Sequence, residues 1–567
     1  MKYSELCKVY EALENTSKGL EKTAIISDFL GKIKEKPELI YLIKGEVFPA
    51  HNEAELGISQ QLVIKAISRV TGLSTENVVQ KFKETGDLGK TAEQLTEKKQ
   101  QSSLFSTKLT PEKVLTNLQK LSTLQGQGTV DRKIGLVIEL LNSATPIEAK
   151  YIIRTVLLDL KIGVGDGILR DAIVDYCFKP ETITEKKEQG EIVQQAYDKS
   201  LDYAEVFNMC VHGGLKKLKS VSFSPGRPVK VMLFPKAKDV EDAFRIVGKP
   251  AAFEYKYDGF RMMISKTKEG KISIFTRRLD NVTTQFPDVV SFVKTHINAK
   301  EFIIDCEAVG FDPKTKAYQP FQAVSQRIKR KYHIEKLVKE LPVEVNVFDC
   351  IYYNGKSLIN EPFGKRRKLI EKIIKNEKYK IVLAKQIITS SEKQAQEFYD
   401  LALSQGHEGL MAKSLLAIYK PGARVGYAVK LKPEDNDFDL VITGAEYGTG
   451  KRAGWLTSFD LSCRDTSSGK LLEVGKASTG LKEKQEQGLS FVELTKKLKP
   501  LIISEDGRHI SVKPQVVVMV QYQNIQKSPT YSSGYAMRFP RIKAIRPDRS
   551  TMDITSLVEI QKEVEGK

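Results

Sequence analysis

The sequence has few cysteines, and no two stand close together. Cys7, Cys177, Cys210, Cys306, Cys350 and Cys463 are scattered over 567 residues. That spacing excludes a zinc finger and argues against a disulfide framework. No apolar run approaches the ~20 residues needed for a membrane helix. The opening Met1-Lys2-Tyr3-Ser4-Glu5 carries charge and does not read as a secretory signal. Internal repeats and low-complexity tracts are also lacking. Acidic residues are the minority charge: Lys and Arg outnumber Asp and Glu by 90 to 71, a formal net charge of +19. Such a surplus suggests a polyanionic partner, nucleic acid first and an anionic membrane second, although high-temperature charge enrichment also raises both signs. With 41% hydrophobic and 28% charged residues, the composition is that of a soluble globular protein. The expectation is a soluble, intracellular protein, off the membrane, with several domains.

Residues 1–215 read as helical. Leu6, Val9, Tyr10 and Leu13 share one face, and Ile25, Ile26, Phe29, Leu30 and Ile33 form a second stripe. Thr145-Pro146-Ile147-Glu148 has the form of a capping box with proline at the first helical position, opening a helix from Ala149 to Leu160. Gly163, Gly165 and Gly167 then alternate between Lys161 and Ile168. Alternating glycines allow close backbone approach, so this turn is either a contact to nucleic acid or an interhelical loop. Leu104 and Phe105 follow Gln101 in a polar segment, where they either anchor a partner or tuck into the helices.

Beyond Ser224-Pro225-Gly226-Arg227-Pro228 the pattern changes to strands, among them 272–275, 302–305 and 343–348, with helical patches at 365–375 and 392–403. Residues 216–433 are therefore expected to form an α+β domain. A charged break at 431–437 precedes further strands, and 434–567 is expected to be a small β-barrel. Within the middle domain, Glu254-Tyr255-Lys256-Tyr257-Asp258-Gly259-Phe260-Arg261 sets a lysine on a β-forming stretch just before an Asp-Gly turn. Taken alone it reads as an edge strand running into an Asp-Gly turn with Lys256 in solvent.

Several polar strand ends follow in order: Thr276-Arg277-Arg278, Asp305-Cys306-Glu307, Val347-Phe348-Asp349, Glu408-Gly409-Leu410-Met411-Ala412-Lys413 and Lys430-Leu431-Lys432. Together with Lys256-Tyr257-Asp258-Gly259, this series resembles the successive nucleotidyltransferase motifs of ATP-dependent DNA ligases. Arg538-Phe539-Pro540-Arg541 resembles their last motif, and the helical first third is similar to the DNA-binding domain of archaeal and replicative eukaryotic ligases.

The resemblance implies a multidomain enzyme with an all-α DNA-binding domain, an α+β adenylylation domain and an OB-fold barrel. It is expected to seal nicked double-stranded DNA as a monomer, with ATP as AMP donor and Mg2+ or Mn2+ as cofactor. By the same resemblance Lys256 is the nucleophile, Glu254 meets adenine and Phe348 stacks on it. Arg261, Arg277, Glu307, Arg424 and Lys430 contact the nucleotide, and Glu307 and Glu408 are the expected metal ligands. Arg538 and Arg541 orient pyrophosphate, Gly163, Gly165 and Gly167 touch DNA, and Gln101, Leu104 and Phe105 contact a sliding clamp. A capping guanylyltransferase shares the lysine motif and the barrel but has no need of the helical domain with its glycine-rich turn; an RNA ligase is a second alternative, separated by comparing nicked duplex DNA with single-stranded RNA.

Overall fold

Helical spacing of apolar residues governs the first 219 residues. The helix Tyr3–Asn15 buries Tyr3, Leu6, Cys7, Tyr10 and Leu13, and the helix Gly19–Ile33 buries Ile26, Phe29, Leu30 and Ile33. These stripes join those of later helices, up to Tyr203–Lys219, in one core. The computed structural model describes residues 1–97, 108–330, 332–422, 425–433, 436–449, 452, 454–483 and 489–565. Its packing divides the chain into two units, Met1–Lys432 and Pro433–Lys567.

The capping box forms as expected: the Thr145 amide donates to Glu148, and Pro146 occupies the first turn. The helix, however, runs from Pro146 to Val156 and stops short of Leu160. Leu158 adopts a left-handed φ of 53°, and the chain closes on itself through Leu158 N–H to Thr155 O and Asp159 N–H to Arg154 O.

The rest of the first unit is built on two sheets. Its strands are β1 Lys236–Ala237, β2 Ala251–Lys256, β3 Phe260–Lys266, β4 Ile272–Thr276, β5 Phe302–Phe311, β6 Tyr318–Gln319, β7 Val343–Tyr353, β8 Lys356–Ser357, β9 Ile381–Leu383, β10 Gln386–Thr389, β11 Gly409–Ser414 and β12 Ala428–Leu431. One sheet has the order β1-β12-β11-β2-β10; the other runs β4-β3-β5-β7-β8, with β6 on β5 and β9 on β7. β2 is thus an inner strand, not an edge. Asp258-Gly259 makes no hairpin either: β2 and β3 belong to different sheets, and the bend carries the chain from one to the other. Glycine is needed there because a Cβ on Gly259 would lie 2.3 Å from the Ala308 carbonyl oxygen.

The second unit is β-rich, with β13 Asn436–Tyr447, β14 Leu456–Arg464, β15 Leu471–Ala477, β16 Ile502–Asp506, β17 His509–Val512, β18 Val517–Tyr522, β19 Asn524–Lys527, β20 Tyr535–Arg538 and β21 Arg541–Ile545. β13 pairs with β14 along one edge and with β17 and β18 along the other; β18 continues to β21. The inward residues of these strands and of the helix Phe491–Leu498 form its core.

The helical core contains a charged cluster. Arg154 is 2% exposed, with Nη2 2.8 Å from Asp87 Oδ2 and Nη1 2.9 Å from Glu14 Oε2. Burial opposes ionisation of both carboxyls, but Arg154, aided by Lys161 at Asp87 and Lys150 at Glu14, holds each down at about 2. Folded values below the unfolded ones stabilise above about pH 4, and that contribution is lost as pH falls toward about 2. Arg154→Met should leave Asp87 with Lys161 alone and Glu14 with Lys150 alone, and destabilise the helical region by about 3 kcal/mol. Hydrogen exchange over residues 1–219 between pH 2 and 7 measures both the loss and the flattened acid slope.

Candidate active site

Strand alternation sorts the first sheet into an apolar face and a charged face. β11 lies antiparallel to β2 and β12, so Lys256 is opposite Gly409, Glu254 opposite Met411, and Met411 opposite Lys430. Phe253, Tyr255, Leu410, Ala412, Val429 and Leu431 pack against the helices Val240–Val247 and Glu392–Ser404. The period of two then leaves Glu254, Lys256, Lys413, Lys430 and Lys432 on the other side.

Lys256 closes β2, and its Nζ lies 2.6 Å from Glu408 Oε2. The same carboxylate oxygen is also ion-paired with Lys432. The main chain repeats the link, the Glu408 amide donating to the Lys256 carbonyl at 2.9 Å. Gly409 follows with a φ of 134°, and a Cβ there would lie 2.2 Å from the Leu431 carbonyl oxygen. Burial opposes the charge on Glu408, but the two lysines outweigh it and hold the carboxyl at about 2. His407, one residue earlier, sits among Tyr255, Tyr257 and Tyr318, with ring centroids 4.9, 4.9 and 5.9 Å away. Burial, with the Lys385 charge second, lowers its pKa to about 4.

Glu254 is buried, with Lys413 at 2.6 Å, Gln386 at 2.8 Å and Arg367 at 3.3 Å. On the second sheet the fork of Arg261 grips both oxygens of buried Asp305 at 2.8 and 2.5 Å, and its Nη1 donates to Met232 O at 3.0 Å. The Tyr419 hydroxyl donates to the same Asp305 at 2.9 Å. Phe348 is the extra residue of a β-bulge, because Asp305 pairs with Asp349 while Cys306 pairs with Val347. It also shares the phase of Glu344 and Asn346, on the face opposite Val343, Val345 and Val347. Here the half-buried ring leaves the core of its own sheet and joins that of the first sheet, with Arg261 Cζ 5.4 Å and Lys413 Nζ 4.7 Å from its centroid.

Glu307 is half-buried and has no ion pair among the described residues. Burial raises its carboxyl to about 7 against the pull of Lys256 and Arg261, while Asp305 and Glu408 add to the rise. Among the described residues no three His, Cys, Asp or Glu side chains converge as a metal cage. The donors present suit a hard cation that keeps its water and takes one or two carboxylates. Glu307 fits that role more directly than Glu408, whose charge already serves two lysines.

The remaining candidates lie further apart. Arg277 is exposed just past β4, and Lys430 is half-buried on β12. In the second unit Arg538 ends β20 and Arg541 begins β21; Phe539 between them is 63% exposed with a φ of 54°. Arg541, Lys476, Lys482 and Lys543 line a pocket of about 740 Å³ there. In the helical region Gly165 caps the helix Asp166–Phe178, and Gly163, with a φ of 65°, precedes it. Arg424, Gln101, Leu104 and Phe105 lie outside the described residues.

Sequence reasoning missed Tyr419, and it quoted Asp305, Lys413 and Lys432 within their motifs without giving them a role. Lys432 had a signal, since it shares the alternation of Lys430. Tyr419 had none, because its contact with Asp305 spans 114 residues.

Comparison with known proteins places this geometry. Three family models match in chain order: DNA ligase N terminus over residues 2–174, ATP dependent DNA ligase domain over 231–432, and ATP dependent DNA ligase C terminal region over 452–549. A DNA ligase of Nanoarchaeum equitans is 44% identical over 566 residues, spanning 99% of this chain and 98% of its own. One from Thermococcus fumicolans is 41% identical over 564 residues, with coverage of 99% and 98%. Among solved structures, Pmar-Lig_Pre aligns over 95% of this chain and 98% of its own, with a TM-score of 0.57 at 17% identity, a likeness of fold.

The buried imidazole supplies a measurable signature. A histidine whose folded pKa is about 4 against an ordinary 6.5 resists protonation that the unfolded chain accepts. Stability should therefore fall as pH drops from about 6.5 to about 4, by about 3 kcal/mol in all. His407→Phe should flatten that slope in urea titrations followed at the two-sheet region.

Proposed function

This chain belongs to the ATP-dependent DNA ligase family, whose general function is to seal nicks in DNA, and we propose that Lys256 is its adenylylated nucleophile. The observation that carries this assignment is the 2.6 Å contact between Lys256 Nζ and Glu408 at the end of an inner strand. A nucleophilic lysine must present its nitrogen at one place, and the Glu408 carboxylate, itself bonded through its amide to the Lys256 carbonyl, restricts the side chain to that place. With a pKa of about 2, Glu408 is too weak a base to collect the lysine proton and acts instead as a fixed counter-charge.

In the first step Nζ, having released a proton to solvent, bonds to the α-phosphorus of ATP and the bond to pyrophosphate breaks. AMP then passes to a 5′-phosphate at the nick, and the 3′-hydroxyl displaces it to form the phosphodiester. Phe348 offers its ring for the base and Glu254 its carboxylate for the adenine edge, after exchange with one of its present partners. Arg261, Arg277, Arg424 and Lys430 supply cationic contacts to ribose and phosphate. Mg2+ or Mn2+, held by Glu307 and Glu408, would neutralise phosphate oxygens when bound. Arg538 and Arg541 are the proposed pyrophosphate contacts, on a C-terminal unit read as an OB-fold from the three-way pairing of β13.

Gly163, Gly165 and Gly167 are proposed to meet the DNA backbone. Gln101, Leu104 and Phe105 are the candidate contact to a sliding clamp, and the enzyme is read as an intracellular monomer with domains 1–215, 216–433 and 434–567. Among the described residues no helix is long and apolar enough to cross a membrane.

Incubation with ATP labelled at the α-phosphate, then with nicked duplex, tests the central assignment. The protein should acquire label, pass it to DNA and release AMP on sealing. Lys256→Ala should abolish labelling and leave nicked-DNA binding within about twofold; a labelled Lys256→Ala protein would move the nucleophile elsewhere.

A further inference from the structure

The helix Gly19–Ile33 buries a lysine in its apolar stripe. Lys22 precedes Ile26, Phe29, Leu30 and Ile33 at helical spacing and is only 6% exposed. A buried polar group at a core position needs a reason, because removing its water is costly unless it is hydrogen-bonded. Lys22 Nζ donates to the carbonyl of Ile162 and, at 3.3 Å, to that of Gly163. It also fills the space beside Gly163, where a Cβ would lie 2.7 Å from Nζ.

This contact orients the turn. In a trans peptide the carbonyl and the following N–H point in opposite directions. Drawing the carbonyls of Ile162 and Gly163 inward to Lys22 therefore turns the amides of Gly163 and Val164 away from it. None of the amides from Gly163 to Gly167 has a partner among the described residues. Other contacts fix the ends of the turn: Lys161 Nζ lies 3.2 Å from Asp87, and the Tyr203 hydroxyl donates to the Asp166 carbonyl at 3.1 Å. The Asp166 carboxylate, which would repel a phosphate, is engaged by Lys44 and Lys230, each at 3.1 Å.

We propose that Lys22 is a positioning residue for DNA binding: from inside the fold it holds the Gly163–Gly167 turn with its amides facing outward to the phosphate backbone. The inference rests on the reading of that turn as a DNA contact. Lys22 itself touches no phosphate, which separates it from an ordinary basic contact. Loss of a direct phosphate contact weakens binding and also lowers the steepness of the salt dependence by about one. Loss of a positioning residue weakens binding at unchanged steepness.

The experiment uses the full chain and a fluorescent nicked duplex, with affinity measured across a KCl series for the native protein, Lys22→Met and Gly165→Glu. Gly165 has open space at its Cβ, so the glutamate places charge at the turn without crowding. Lys22→Met should lose affinity about tenfold or more with the salt slope retained, and lysyl-adenylate formation without DNA should be unchanged. Hydrogen exchange should rise at 161–168 and stay native elsewhere in the helical core. If Lys22→Met loosens that whole core, Lys22→Gln, which keeps donors without charge, takes its place in the comparison. Native affinity of the Lys22 variant beside a weakened Gly165→Glu would overturn the positioning role alone. A slope shallower by about one would make Lys22 a direct contact and overturn it too. Native binding by Gly165→Glu would remove the reading of the turn, and the inference with it.

Discussion

One carboxylate makes the proposed site possible. Lys256 ends β2 and Lys432 follows β12, the two strands that flank β11, so two positive charges come near a single point, and Glu408 stands between them. Two like charges about 4 Å apart repel by roughly 4 kcal/mol at an effective dielectric near 20. With the carboxylate in place both lysines are attracted instead, and the main-chain bond from the Glu408 amide to the Lys256 carbonyl keeps it there. The same arrangement explains why the turn at 407–409 is so constrained. Its glycine must pass the Leu431 carbonyl, and its histidine must stay neutral within an aromatic box.

The other buried charges follow the same logic. Asp305 binds Arg261 and Tyr419; Asp349 binds Arg366; Glu254 binds Lys413 and Arg367. Desolvation takes back much of what such pairs gain, so an apolar replacement of similar volume would stabilise the fold about as well. What the pairs supply is position: a guanidinium fork on a buried carboxylate cannot rotate as a solvated side chain does. Arg261 is held on one side by Asp305 and lies over Phe348 on the other. An interaction fixed there transmits directly to the ring proposed to stack on the base.

Much of this was legible in the sequence wherever a short period decided the outcome. The stripes of the first two helices, the capping box at Thr145 and the strands at 272–275, 302–305 and 343–348 follow from spacing alone. Lys256, Glu307, Glu408 and Lys430 were visible as a series of polar positions, but not all are strand ends: β5 runs on past Glu307 to Phe311, and β7 past Asp349 to Tyr353. The sequence was misleading where tertiary packing overrode a local signal. Asp258-Gly259 is a strong hairpin dipeptide, yet it links two sheets, because the strands on either side find better partners elsewhere. Phe348 shares the phase of Glu344 and Asn346, so the period of two already set it opposite Val343, Val345 and Val347; what could not be read was the bulge that leaves it unpaired against β5. The helix after Thr145 stops four residues early because Leu158 takes a left-handed conformation that no composition signal announces.

Lys22 belongs between these cases. Its position one turn before Ile26 was readable, but a lysine at the start of an amphipathic stripe is ordinarily taken to reach solvent at the helix end. The partner that keeps it inside is a pair of carbonyls 140 and 141 residues away, and backbone carbonyls leave no mark on a sequence pattern. The same reasoning covers Asp305 and Tyr419. Residues that act by holding others are recognised by what surrounds them, so a one-dimensional reading finds the groups that meet the substrate before it finds the groups that aim them. In this chain the aiming groups are the buried polar ones, and burial is the property through which the structure made them visible.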